Sequence, residues 1–210
     1  MDDNKRHSGN LDLAGGRLCL DFVNTLDWRG REQPQESLNT FQDLISWSQH
    51  VGILTDHDAQ HLIRKAVKHP VEAERVLNRA IELRETLYRI FSSIIQGKDP
   101  TEKDIATFNE NLSKTMGHSR IVRTETGFSL DSGGDKESLD WMLNPIIRSA
   151  ADVLVSEELK RLKACADSAC GWLFWDKSRN QSKRWCAMKD CGNRAKARRF
   201  YKRKKRAISS

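Results

Sequence analysis

The sequence predicts two unlike parts: a mainly helical N-terminal domain with one small β-hairpin over residues 1–158, and a small treble-clef-like α+β module with a basic C-terminal helix over residues 159–210. Three observations carry this reading. Apolar residues recur at helical spacing through most of the first part. Four of the five cysteines fall at Cys165, Cys170, Cys186 and Cys191, a C-x4-C-x15-C-x4-C pattern, while Cys19 stands far upstream. The charge also changes sign along the chain: from residue 160 on, 17 lysines and arginines face only Asp167, Asp176 and Asp190, a balance of +14, whereas residues 1–159 sum to −7.

At 210 residues the chain has room for a sizeable core plus a small appended module. No stretch approaches the roughly 20 apolar residues of a membrane span. The segment Met1 to Asn10 is polar and lacks the apolar centre of a signal peptide, so a cytoplasmic protein without a membrane role is expected.

Along the chain, Arg17 to Leu26 alternates apolar and polar residues after Gly15-Gly16 and fits either a short strand or the first turns of a buried helix. Phe41, Leu44, Ile45, Trp47, Ser48 and Val51 mark a helix capped by Thr40 with Asp43 and ended by Gly52. Thr55 and Asp58 cap a second helix, which must stop near His69 because Pro70 follows. A long third helix carries Val76, Leu77, Ile81, Leu87, Tyr88, Phe91, Ile94 and Ile95 up to Gly97, and Thr101 opens a fourth through Phe108 and Leu112. Ile121–Arg123 and Phe128–Leu130 read as a hairpin turning at Gly127. From Asp135 a last helix carries Leu139, Met142, Leu143, Ile146, Ile147, Ala150 and Leu154, kinked or broken at Pro145.

The two cysteine pairs suit zinc, which takes four soft ligands in a tetrahedron; two tight turns can each present a pair of thiolates. None of the six histidines lies beyond His118, so the set is all sulfur and one zinc per chain is expected, against the plainer reading of free buried thiols. A segment this short with few aliphatics also needs a staple to fold. Between the pairs, Trp172 to Trp175 and Lys183 to Trp185 flank a polar stretch and suggest a hairpin turning over Ser178-Arg179-Asn180. Knuckle, hairpin, second knuckle and helix make a treble-clef-like zinc finger. Trp172, Trp175 and Trp185 are assigned to its small core rather than to base stacking, with at most one exposed.

After Gly192 the tail is rich in helix formers. Ala197, Phe200 and Tyr201 share one side, expected to pack, and Lys196, Arg198, Arg199, Lys202 and Arg203 take the other as a phosphate clamp. Arg194 is the candidate for a base edge. Nucleic acid, double-stranded DNA first, is the expected partner.

These residues resemble a known family. The run Cys170-Gly-Trp-Leu-Phe-Trp-Asp-Lys-Ser-Arg-Asn, then Arg184-Trp-Cys-Ala-Met and Cys191-Gly-Asn-Arg-Ala-Lys-Ala-Arg-Arg-Phe-Tyr, is similar to the bacterial CGNR zinc finger. Gly15-Gly-Arg-Leu-Cys-Leu-Asp-Phe-Val-Asn-Thr-Leu resembles the start of the ABATE domain that usually precedes it. The resemblance implies a stress-related transcription regulator with the four cysteines as zinc ligands, a DNA-binding finger and no catalysis.

Arg17, Asp21, Asn24, Trp28 and Arg29 interleave polar groups with apolar ones. They either line a pocket for a small anionic or mixed-polarity effector or form buried hydrogen-bonded structure; if the stretch is helical, Asp21, Asn24 and Trp28 share a side. Cys19 between two leucines reads as core, and His57 with His61 as helix-surface histidines rather than a second metal site. The competing functions are an RNA-binding or ribosome-associated zinc protein without an operator and, more weakly, an enzyme, for which no nucleophile–base–orienter set stands out. A single finger buries little surface, so a homodimer formed through the N-terminal domain is expected.

Overall fold

The computed structural model describes residues 13–117, 119–131 and 138–208. The N-terminal part holds helices α1 (Leu18–Val23), α2 (Phe41–His50), α3 (Asp56–Lys68), α4 (Pro70–Ile95), α5 (Glu102–Gly117) and α6 (Asn144–Leu154). Two antiparallel strand pairs accompany them: β1 (Leu26–Asp27) with β2 (Gln35–Glu36), and the hairpin β3 (Arg120–Thr124) with β4 (Gly127–Asp131). The C-terminal part holds β5 (Leu162–Ala164), β6 (Leu173–Trp175) and helix α7 (Asn193–Ile208). None of the helices is long and apolar enough to cross a membrane among the described residues.

Local chemistry sets the helix starts. Thr40 with Asp43 and Thr55 with Asp58 form complete capping boxes. At α5, Thr101 Oγ1 accepts from the Asp104 amide at 3.1 Å. Pro70 sits in the first turn of α4, where its missing amide proton costs nothing. A short 3-10 turn, Trp141–Leu143, leads into α6, whose first turn holds Pro145. The expected start of that helix at Asp135 lies outside the described residues.

The Arg17–Leu26 run resolves to a helix over Leu18–Val23, after which Leu26 opens β1. Cys19, Leu20, Phe22 and Val23 are fully buried, and α1 packs against α4, α6 and β6 at the centre of the molecule. Side chains of this kind contribute about 1.5–3 kcal/mol each on burial, which makes this six-residue helix a hub of the core despite its length.

Strand β6 is a wall shared by two cores. Its side chains alternate, as a strand requires. Leu173 and Trp175 join the N-terminal helices, together with Leu162 of β5. Trp172, just before the strand, and Phe174 face the other way, into a small cluster with the four cysteines and Trp185. The WLFW run is apolar throughout because both faces of the strand are covered.

One expected pairing is corrected. β6 pairs antiparallel with β5, Leu162 opposite Trp175, and not with Lys183 to Trp185. Buried Asp176 explains the difference. Its carboxylate accepts from the Ser178 amide at 2.9 Å, the Lys183 amide at 3.0 Å and Lys163 Nζ at 2.8 Å, so residues 176–183 close into a loop around it. Burial works against ionisation there, but Lys163 and the Ser178 and Lys183 donors outweigh it and hold Asp176 well below the usual carboxylate range.

Candidate metal centre and nucleic-acid interface

The first knuckle is the turn of the β5–β6 hairpin. The Cys165 amide donates to the Trp172 carbonyl at 2.8 Å, and the chain reverses through Cys170 and Gly171, whose φ of 73° favours glycine. The second knuckle runs from Cys186 into a π-helical turn, Met188–Gly192, that carries Cys191 and opens directly into α7. All four cysteines are buried and their sulfurs lie within 4.8 Å of one another.

Cys170 and Cys186 Sγ are 3.8 Å apart, and Cys186 and Cys191 Sγ are 3.6 Å apart. A tetrahedron with Zn–S bonds of about 2.3 Å has edges near 3.8 Å, whereas a disulfide needs about 2.05 Å. The spacing therefore fits one metal ion held by four sulfurs, and the all-thiolate donor set suits zinc. Electrostatics agree. Hydrogen bonds from Cys170, Cys186 and Cys191 pull the Cys165 thiol down, while the contact with Cys165 pushes Cys170 up. Four adjacent thiolates coexist only around a cation, which bound zinc supplies.

Helix α7 starts against this centre. Arg194 Nε and Nη2 donate to Asp167 Oδ2 at 3.0 and 2.7 Å, and Arg198 Nη1 donates to Oδ1 at 3.1 Å. Arg194 Nη2 also donates to Cys191 Sγ at 3.2 Å, and its guanidinium lies 4.6 Å from the Trp28 ring. The residue expected at a base edge is thus held between a zinc ligand, the first knuckle and the N-terminal domain. Lys196 and Arg199 are exposed; the side chains of Lys202 and Arg203 lie outside the described residues.

The apolar side of α7 is corrected as well. Phe200 is 64% exposed and Tyr201 68%, their rings edge-on at 5.7 Å. The contacts of Arg194 and Arg198 anchor the first turns of the helix, and the aromatic pair that follows is left exposed.

The polar residues near the N-terminus are placed along the seam between the two parts. Asp21 Oδ1 accepts from the Gly15 amide at 2.7 Å, and burial raises its pKa to about 6. The Asn24 side chain accepts from the Leu173 amide at 2.9 Å and donates to the Leu173 carbonyl at 2.8 Å. The Arg17 guanidinium lies 5.0 Å from the Trp175 ring. The Arg29 guanidinium donates two hydrogen bonds to the Glu85 carboxylate, at 2.7 and 3.0 Å, and stacks 4.0 Å from Tyr88. Because α1 ends at Val23, Trp28 leaves the helical face; its φ is 57°, and the Arg31 guanidinium lies 3.3 Å from its ring. The structure thus brings Arg17, Asp21 and Asn24 to the edge of β6, and Trp28 and Arg29 to the first knuckle. A concavity of about 730 Å³ is lined by Trp28 and residues 30–35, without the other four.

Backbones meet closely at this seam. A Cβ on Gly30 would fall 1.9 Å from the Ser168 carbonyl oxygen, and one on Gly171 would fall 2.5 Å from Arg29 Cβ.

Arg84, Glu36, Glu85 and Asp167 join the seam without having been singled out from sequence. Buried Arg84 donates to both Glu36 oxygens at 2.6 Å and to Glu85 at 2.9 Å, tying β2 to α4. Burial opposes ionisation of Glu85, but Arg29 and then Arg84 hold it below its ordinary range. The available signal was a charge within the apolar stripe of α4, one turn before Leu87. Asp167 gives no such signal, since its partners lie 27 and 31 residues away.

A family profile described as "Putative stress-induced transcription regulator", ABATE, matches residues 16–157, and one described as "CGNR zinc finger" matches residues 161–204. Neither description names an enzyme. No curated protein matches the sequence.

Proposed function

The chain belongs to the ABATE family and ends in a CGNR zinc finger, and we propose that it is a transcription regulator whose finger grips DNA through α7. The observation that carries this reading is the helix itself. Its 16 residues hold nine lysines and arginines and no acid, and it is joined at its start to a centre built for zinc. Arg194 and Arg198 fix its direction through Asp167, which leaves Lys196, Arg199, Lys202 and Arg203 as the phosphate contacts.

Salt dependence tests it. If about four phosphates are neutralised, log K falls against log salt with a slope near −4, and Lys196→Ala or Arg199→Ala each flattens it by about one unit. Affinity independent of salt, or an unchanged slope after truncation at Lys196, would remove α7 from the mechanism. The N-terminal domain then serves ligand sensing or assembly. The concavity beside Trp28 supports sensing, because Trp28 lies against Arg194 and an effector there would bear on the base of α7. A thermal shift given by a small anion in wild type and lost in Trp28→Ala checks it, and no shift from any such compound counts against it.

A further inference from the structure

We infer that Phe200 and Tyr201 stack on bases, and that the nucleic acid held by α7 carries unpaired bases along the helix. This rests on the binding role proposed above for α7 and adds the state of the partner strand.

Two exposed aromatic rings in consecutive positions are unusual on a helix this polar. Their surroundings decide what covers them. By helical spacing, Lys196 and Lys204 are charged neighbours of Phe200, and Arg198 and Lys204 those of Tyr201. Every charged neighbour on α7 is a cation, so the occupant brings its own negative charge and a flat apolar surface together. Nucleobases on a phosphate backbone have both.

Other occupants fit less well. Two copies of α7 would bring like charges face to face. At about 150–250 Å² per aromatic side chain, the exposed parts of these two rings also fall far short of the roughly 800 Å² per partner of a stable dimer. A membrane-surface helix needs a broad apolar face, and besides three alanines the 16 residues of α7 hold only Phe200, Tyr201 and Ile208 as larger apolar residues.

Within an intact duplex the base faces are hidden by stacking, and a groove-bound helix reads base edges with polar side chains. The polar group placed for that task, Arg194, is tied to Asp167 and Cys191. What remains is a row of cations with two ring faces among them, the combination that holds single strands.

The test uses the full-length zinc-loaded protein and three fluorescent probes of one sequence: single-stranded DNA, single-stranded RNA and duplex DNA. Phe200→Leu and Tyr201→Leu keep helix propensity and remove the ring. Each is expected to weaken single-strand binding about five- to a hundredfold, leave the salt slope unchanged, and alter duplex binding less than twofold. The DNA and RNA arms identify which strand is the source of the unpaired bases. If both variants bind single strands like wild type while truncation after Lys196 abolishes binding, the stacking role is wrong and the α7 clamp stands. If the truncated protein also binds all three probes like wild type, the nucleic-acid role itself fails. A wild-type dimer that becomes monomeric in the leucine variants, or retention on phosphatidylserine vesicles that only these variants lose, assigns the rings elsewhere and overturns the inference.

Discussion

Asn24→Ala isolates the contact that seals the edge of β6. In the β5–β6 pair, Cys165 bonds Trp172 across the ladder, so Leu173 and Trp175 turn their backbone groups to the other edge. There the Asn24 amide closes both groups of Leu173, and the Gly15 carbonyl accepts from the Trp175 amide at 2.7 Å. Asn24 is 6% exposed, so water cannot replace it without rearrangement. Losing a partner for a buried backbone donor and acceptor costs about 1–3 kcal/mol each, or about 2–6 kcal/mol together. A chain of this size loses about 2–4 °C in Tm per kcal/mol, which gives a fall of roughly 10 °C. Asn24→Asp keeps the acceptor but turns a carboxylate oxygen toward the Leu173 carbonyl, and a loss at least as large is expected. Differential scanning calorimetry of zinc-saturated protein reads the shift, and hydrogen exchange at the Leu173 amide reads its cause. A Tm within about 2 °C of wild type with that amide still protected would refute the reasoning.

Other expectations follow from the same geometry. Metal analysis should find one zinc per chain in wild type and none in Cys191→Ser; a wild type without zinc would end the metal assignment. Arg194→Ala removes the N–H to Cys191 Sγ, so zinc affinity in chelator competition should fall about 10–100-fold and the thiolate-to-metal band of the cobalt form should shift. Arg194→Lys should restore only part of it, since a lysine cannot span Asp167 and the sulfur together, and equal affinity in all three proteins would make the contact incidental. Burial raises the Asp21 pKa from 3.8 to about 6, so the folded state prefers the acid form; the stability this represents is full below pH 3.8 and lost as pH rises through 6. Asp21→Asn, which still accepts from Gly15, should therefore stabilise the protein at pH 8 by on the order of 2 kcal/mol, and by about half that at pH 5. A gain that is the same at both pH values would rule out the titration.

Sequence carried the features that neighbours in the chain decide. The caps at Thr40, Thr55 and Thr101 are contacts over three residues, and the cysteine pairs define a donor set whatever lies between them. Features set by distant partners were not legible. Nothing local chooses β5 over residues 183–185 as the partner of β6, because the choice depends on how Asp176 gathers its loop. The polar cluster from Arg17 to Arg29 was equally consistent with a pocket and with buried bonding, and the partners that occupy Asn24 and Arg29 lie 149 and 56 residues away. Arg194 looked free for a base edge because Asp167 belongs to the other knuckle. The spacing of Ala197, Phe200 and Tyr201 defines one side of a helix, but spacing cannot say whether anything lies beneath it.

The shared strand changes what metal loss should do. An appended module with a core of its own would unfold alone when zinc leaves, with the N-terminal helices intact. In the structure, however, β6 gives Leu173 and Trp175 to the main core and Phe174 to the zinc core. Both main-core side chains are nearly fully buried, and at about 1.5–3 kcal/mol each their withdrawal would remove a sizeable part of the 5–15 kcal/mol by which proteins are stable. Asn24, Gly15 and Arg17 would lose their partners in the same event. Structural zinc contributes on the order of 10 kcal/mol to such sites, so chelation should lower the melting of the helices as well as of the finger, in one transition. The helical circular-dichroism signal and tryptophan fluorescence, followed together during heating with and without chelator, decide it. If the helical signal of the chelated protein still melts at the zinc-bound temperature while the fluorescence changes early, the two cores are independent and β6 does not couple them.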